Sequence, residues 1–251
     1  MTLAQHLVEL RKRLMIAALA LVVGMIAAFF LTEQIIDLLT IPIQMIADQR
    51  GTEFAKLNFT TITGGFDLRL RISFAIGIIV SAPVWIWQIW AFLMPGLTRK
   101  EIRYTVGFLA AAIPLFFAGT YVGWLIMPHI IELMAQFVPE QGALFFDALY
   151  YYDFIFKLLL VVGVAFVLPV FLVALNVAGV ISGIAILKGW RVAVLVAVVF
   201  AGLATPAADI FSMLMLAGIL IVLYLAAAGI SLLVDRRRRK RTETLLEPNT
   251  V

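Results

Sequence analysis

Two stretches of this chain, Ile72–Leu97 and Tyr104–Pro128, carry no charged side chain, and each exceeds the roughly 20 helical residues needed to cross a bilayer. Runs of this kind must satisfy their backbone groups within a helix, because lipid offers none of the hydrogen bonds that water would. The composition agrees: 64% of the 251 residues are hydrophobic, 14% are charged and the mean hydropathy is +1.08, well outside the range a soluble core requires. The expected fold class is an all-α membrane protein. The chain has no cysteine, and its two histidines, His6 and His129, lie on different elements. Neither a disulfide framework nor a metal centre is expected, and no cofactor or nucleic-acid partner is implied.

Taken in order, residues 1–14 place Leu3, Leu7, Leu10 and Leu14 at helical spacing, with Gln5, Glu9, Lys12 and Arg13 off that stripe. This reads as an interfacial helix running into a first, uncleaved span, Leu14–Thr32. The polar interval Glu33–Arg71 predicts a surface helix interrupted at Pro42 and ending in a glycine-containing loop. A second span starts near Ile72, with Trp85, Trp87 and Trp90 as an interfacial belt. A third occupies Tyr104–Pro128, and a polar stretch, His129–Asp153, follows it. The fourth span begins near Phe154 and contains Pro169. Residues 192–208 carry no charge, which leaves a fifth span of roughly fifteen helical residues, about 23 Å, short of a hydrocarbon core of about 30 Å. The sixth, Ile210–Val234, follows almost without a loop, and the pair forms a hairpin able to thin the bilayer locally. Residues 1–235 are thus a six-span membrane domain, and 236–251 a basic, disordered tail.

Six spans put both termini on one side. Fourteen of the nineteen cations, at 11–13, 99, 100, 103, 188, 191 and 236–241, fall on that side, so the positive-inside rule places the termini in the cytoplasm. No sequence motif of hydrolase, metalloprotease, redox or nucleotide chemistry is present, which points away from an enzyme. Ionisable residues are nearly absent at mid-membrane depth, which weakens the alternative of a small-solute secondary transporter.

Three segments carry a family resemblance: HLVELRKRL at 6–14, WAFLMPGLTRKEIR at 90–103 and ATPAADIFS at 204–212. In combination, and separated by spans of suitable length, they resemble TatC of the twin-arginine protein translocase, over essentially the whole chain before the arginine-rich tail. The resemblance implies a glove-like fold with short fifth and sixth helices. It further implies a receptor in the inner membrane that binds twin-arginine signal peptides, recruits the single-span subunits TatA and TatB, associates with itself in a larger complex, and draws on the proton gradient to export folded proteins. Carried onto this chain, it assigns Glu101 as the main arginine acceptor and Glu9 as the second, with Phe92, Pro95 and Leu97 shaping the loop. Arg11 also falls in the motif, as a surface anchor or loop partner. Thr205, Pro206, Asp209 and Ser212 fall where partner helices would dock.

The chemistry suits such a role, since a carboxylate holds a guanidinium in a two-bond fork that an ammonium cannot reproduce. Other roles stay open at the same residues. Thr98 and Glu101 have capping-box spacing, Glu9 stands four residues before Arg13 as an intrahelical ion pair, and Asp209 precedes the last helix as an N-cap. Val167 and Met213 stand where some relatives carry polar residues.

Overall fold

The computed structural model describes residues 3–50, 55–93, 99–136, 144–204 and 210–246. In chain order the elements are α1 (Leu3–Phe30), α2 (Thr32–Arg50), β1 (Ala55–Asn58), α3 (Gly64–Val80), α4 (Ala82–Leu93), α5 (Arg99–Gln136), β2 (Leu144–Asp147), α6 (Ala148–Val177), α7 (Gly183–Lys188), α8 (Trp190–Ala204) and α9 (Ile210–Leu246). Among the described residues, four helices are long and apolar enough to cross a membrane, within α1, α5, α6 and α9. The pair α3 and α4 makes a fifth if counted as one span, and α8 falls short of that length. The chain divides into two compact units, residues 1–96 with 117–163, and residues 97–116 with 164–251.

In the first unit α1 is one unbroken helix, so the amphipathic opening and the first span are continuous. It packs on α3 where two glycines meet. A carbon added at Gly24 would lie 3.0 Å from the Gly77 carbonyl oxygen, and one added at Gly77 would lie 2.9 Å from the Met25 nitrogen. Lipid tails are as apolar as leucine, so helices in a membrane gain from close backbone approach rather than from burying hydrophobic surface, and small residues permit it. On the other side of α1, Leu19, Val22, Val23 and Ile26 are exposed, as lipid-facing residues should be.

The charge-free run expected as a single second span is broken at Ser81 into α3 and α4, which meet at 56°. Pro83 has no N–H to continue the α3 ladder, yet it fits the first turn of a new helix, where no such donor is needed. The Ile78 carbonyl near the break accepts from the Trp85 indole N–H at 2.9 Å and from the Ser81 hydroxyl at 3.3 Å. Trp85 therefore serves the break as well as any interfacial belt.

Pro42 does not interrupt α2, contrary to the expectation, and lies buried inside the continuous helix. Hydroxyl groups supply donors around it: Thr40 donates to the Ile36 carbonyl at 2.6 Å, and Tyr151 of α6 donates to the Leu39 carbonyl at 2.7 Å. The carbonyl that lacks the Pro42 N–H is that of Leu38, so these bonds reinforce its neighbours rather than replace the lost one. The helix α5 continues past Pro128, the expected end of the third span, to Gln136, and the described residues of the polar stretch 129–153 are helix and strand. Within it β2 pairs in parallel with β1, Ala55 opposite Leu144 through Asn58 opposite Asp147, a two-stranded ribbon absent from the all-α expectation. Asp147 then caps α6, accepting from the N–H groups of Leu149 at 3.0 Å and Tyr150 at 3.2 Å. Nearby ion pairs join Arg69 to Glu33 and Arg71 to both Asp67 and Asp153. Being largely solvated, each adds about 0–1 kcal/mol.

In the second unit α6 ends at Val177, and Gly179 just beyond it has a φ of 78°, the left-handed conformation that glycine adopts without steric cost. The short α7 then packs on α9 through Gly183, where an added carbon would stand 2.7 Å from the Leu232 nitrogen. Asp235 of α9 fastens this seam, accepting from the Gly183 N–H at 2.7 Å and from the Asn176 side-chain amide at 2.9 Å. Arg238 donates to the Val177 carbonyl. Of the two closing helices only α8, with 15 residues, is short; α9 has 37 and carries its helix through the arginine cluster to Leu246. Positions 236–246 thus continue α9, where the sequence alone predicted a disordered tail.

Candidate functional site

The first turns of α1 and the end of α4 form a polar corner. Glu9 Oε1 accepts from Arg13 Nε at 3.0 Å and from Arg13 Nη2 at 2.5 Å, one helical turn apart. Arg13 Nη1 also donates to Gln88 Oε1 at 3.4 Å, tying the pair to α4. One turn before Glu9, His6 stacks on Phe92, with ring centroids 4.2 Å apart and planes 22° from parallel. The intrahelical ion pair anticipated for Glu9 is therefore real, and it is a buttressed one, with side chains only 24% and 19% exposed.

The pairing leaves half of the carboxylate unused. Glu9 Oε2 is buried and has no hydrogen-bond partner among the described residues. A buried oxygen of an ionised group without a donor is costly, so an N–H that reached it would be held firmly. Arg13 fixes the carboxylate in place through one oxygen and leaves the other able to accept.

The remaining candidates distribute as follows. Phe92 stands half-buried at the corner. Arg11 is exposed, and on a helix a residue two positions from Glu9 cannot face it; it borders a shallow apolar groove along α1 with Val8, Lys12 and Met15. Glu101 falls in the first turn of α5, where the helix dipole favours a carboxylate, and its side chain lies outside the described residues, as do Pro95 and Leu97. Thr205, Pro206 and Asp209 also lie outside them, directly before α9; Ser212 is in the first turn of α9, with its side chain likewise undescribed. Sequence reasoning missed Gln88 and the His6–Phe92 stack. The available signal was that Gln88 is the sole amide in the apolar helix α4.

Residues 5–218 match the family model described as Sec-independent protein translocase protein (TatC). The chain belongs to the TatC family. The TatC protein of Xylanimonas cellulosilytica is 42% identical over 242 residues, covering 96% of this chain and 87% of that one. That of Rothia mucilaginosa is 35% identical, covering 98% and 84%. The fold matches the crystal structure of the twin-arginine translocase receptor TatC in DDM with a TM-score of 0.79 and 26% identity, over 90% of this chain and 99% of that one. This TatC chain is accordingly a membrane protein and a component of a protein translocase rather than an enzyme. The small-solute transporter has no support among these relatives.

Proposed function

We propose that this TatC chain is the receptor for twin-arginine signal peptides, and that Glu9 and Glu101 each take one guanidinium of the arginine pair at the cytoplasmic face. The observation that carries the reading is the buried Oε2 of Glu9, without a partner among the described residues, on a carboxylate held by Arg13, which Gln88 also contacts. Phe92 packs against His6 beside it, and Pro95 and Leu97 shape the loop that leads to Glu101. The spans number six, with α3 and α4 forming the second and α8 the fifth, and both termini lie in the cytoplasm of a cell whose inner membrane holds the protein. Support comes from the bias of cations toward one side.

In this reading Thr205, Pro206 and Asp209, between α8 and α9 in the chain, and Ser212 meet single-span TatA- and TatB-like subunits, several copies assemble, and the proton gradient drives export of folded cargo. Residues 1–235 form the membrane domain, and the basic segment after it lies against anionic lipid.

The test is binding of a twin-arginine peptide to detergent-purified protein, supported by photocrosslinking. Glu101→Ala nearly abolishes binding and Glu9→Ala weakens it. Full binding by both variants, each normally folded, would reject the assignment of these two residues.

A further inference from the structure

The second unit contains an elongated groove of roughly 510 Å³ bounded by α6, α7, α8 and α9, within the size range of ligand sites. Its walls are hydrocarbon, among them Leu168 and Pro169 of α6, Ile186 of α7, Ala193 and Ala197 of α8 and Leu220 of α9. The one hydroxyl on its lining, that of Tyr224, is already donated to the Ile186 carbonyl. Along α8 the lining runs from Gly189 to Phe200, about 16 Å at the rise of a helix. The lining is apolar, and no free polar group on it would orient a compact solute.

One end differs sharply from the rest. Gly189, on the lining, is flanked in the chain by two exposed cations outside it, Lys188 at the end of α7 and Arg191 at the start of α8. Arg191 lies over the ring of Trp190, 5.7 Å from its centroid, and Trp190 is itself exposed. A tryptophan beside two cations at the mouth of an apolar channel marks the level of lipid headgroups. An apolar channel opening on two cations is complementary to an amphiphile with one hydrocarbon chain inside and an anion at the mouth.

We propose that this groove is a binding site for an anionic phospholipid, one acyl chain lying between α6, α8 and α9 and the phosphate held by Lys188 and Arg191. The site shares no residue with the Glu9 corner and requires no signal peptide. Bound there, the lipid fills the space beside the short helix α8.

Native mass spectrometry of the whole protein, supplied with equal amounts of phosphatidylglycerol and phosphatidylcholine bearing the same acyl chains, tests the proposal. The wild type should retain one phosphatidylglycerol in preference to phosphatidylcholine by about 30-fold, the effect expected of two cations at a headgroup. The Lys188→Gln, Arg191→Gln double variant should lose that preference while still retaining either lipid weakly. Val192→Trp, which fills the groove from an exposed lining position, should reduce retention of both, and Lys157→Gln in the first unit should change neither. Equal retention of the two lipids by the wild type would make the groove an ordinary apolar surface, open equally to a partner helix, and would overturn the proposal. So would a headgroup preference that survives the double variant, or lipid retention that Val192→Trp leaves intact. Peptide binding is not read in any arm, so these outcomes are independent of the receptor role.

Discussion

A single methyl group at Gly77 is the sharpest test of how α1 is held. The added carbon of Gly77→Ala would stand 2.8 Å from Met25 Cγ, 2.9 Å from Met25 N and 3.2 Å from Leu21 O. Two of these three neighbours are backbone, so the overlap of about 0.5 Å below ordinary contact cannot be relieved by a rotamer change, and α1 and α3 must separate. Overpacking of this kind costs about 1–3 kcal/mol, which for a chain of this size lowers the melting temperature by about 2–12 °C. The five tryptophans allow melting in detergent to be followed by intrinsic fluorescence at a fixed scan rate. Gly218→Ala is the comparator: nothing lies within 4 Å of its added carbon, and alanine favours a helix interior, so melting stays level or rises. Adding Met25→Ala to Gly77→Ala removes only the Cγ overlap, and the double variant therefore remains destabilised. Melting of Gly77→Ala at or above the wild-type temperature, or full rescue by Met25→Ala, would refute the close backbone crossing.

Two further substitutions probe the polar groups that hold apolar helices in shape. Tyr151→Phe removes the hydrogen bond from α6 to the Leu39 carbonyl of α2 and should cost about 0.5–1.5 kcal/mol in chemical or thermal unfolding, the net worth of one such bond; an unchanged midpoint would show that this bond does not help to hold the two helices together. Asp235→Ala removes the acceptor shared by Gly183 and the buried Asn176, with an expected loss of about 1.5–3 kcal/mol and faster hydrogen exchange in α7; Asp235→Asn, which keeps one acceptor oxygen, should lose less.

The parts of this fold legible in the sequence are those governed by partition between water and lipid. Charge-free runs marked the apolar helices, and the spacing from Arg191 to Asp209 anticipated a fifth helix of 15 residues because a helix cannot extend its apolar core past its own charges. Hydropathy is silent on breaks and crossings. Ser81 and Pro83 sit in as apolar a run as any, and local pattern does not tell Pro83, at a break, from Pro42, inside a continuous helix. The face that α1 turns to α3 is as hydrophobic as the face it turns to lipid, and Gly24 is its one quiet marker. The ribbon of β1 and β2 joins segments too far apart for any local pattern to reveal.

At the candidate site the motif residue Glu9 was legible, whereas its fixation was not. Arg13 is one turn away and readable as a partner, but Gln88 reaches the pair only because α4 folds back on α1. The arginine cluster at 236–241 looked like a solvated tail by composition, yet α9 continues through it, with Arg238 donating to the end of α6.

The most direct measurement of whether Glu9 and Glu101 grip a guanidinium pair is a double-mutant cycle. Dissociation constants are taken for wild-type, Glu9→Gln and Glu101→Gln protein, each with a twin-arginine peptide and with peptides carrying lysine at the first or second arginine. Each glutamate should couple to one arginine by about 1.5–3 kcal/mol, the range for hydrogen bonds to charged groups, so that its loss makes the peptide indifferent to lysine there. Losses from protein and peptide that simply add, with no coupling at either glutamate, would contradict direct contact.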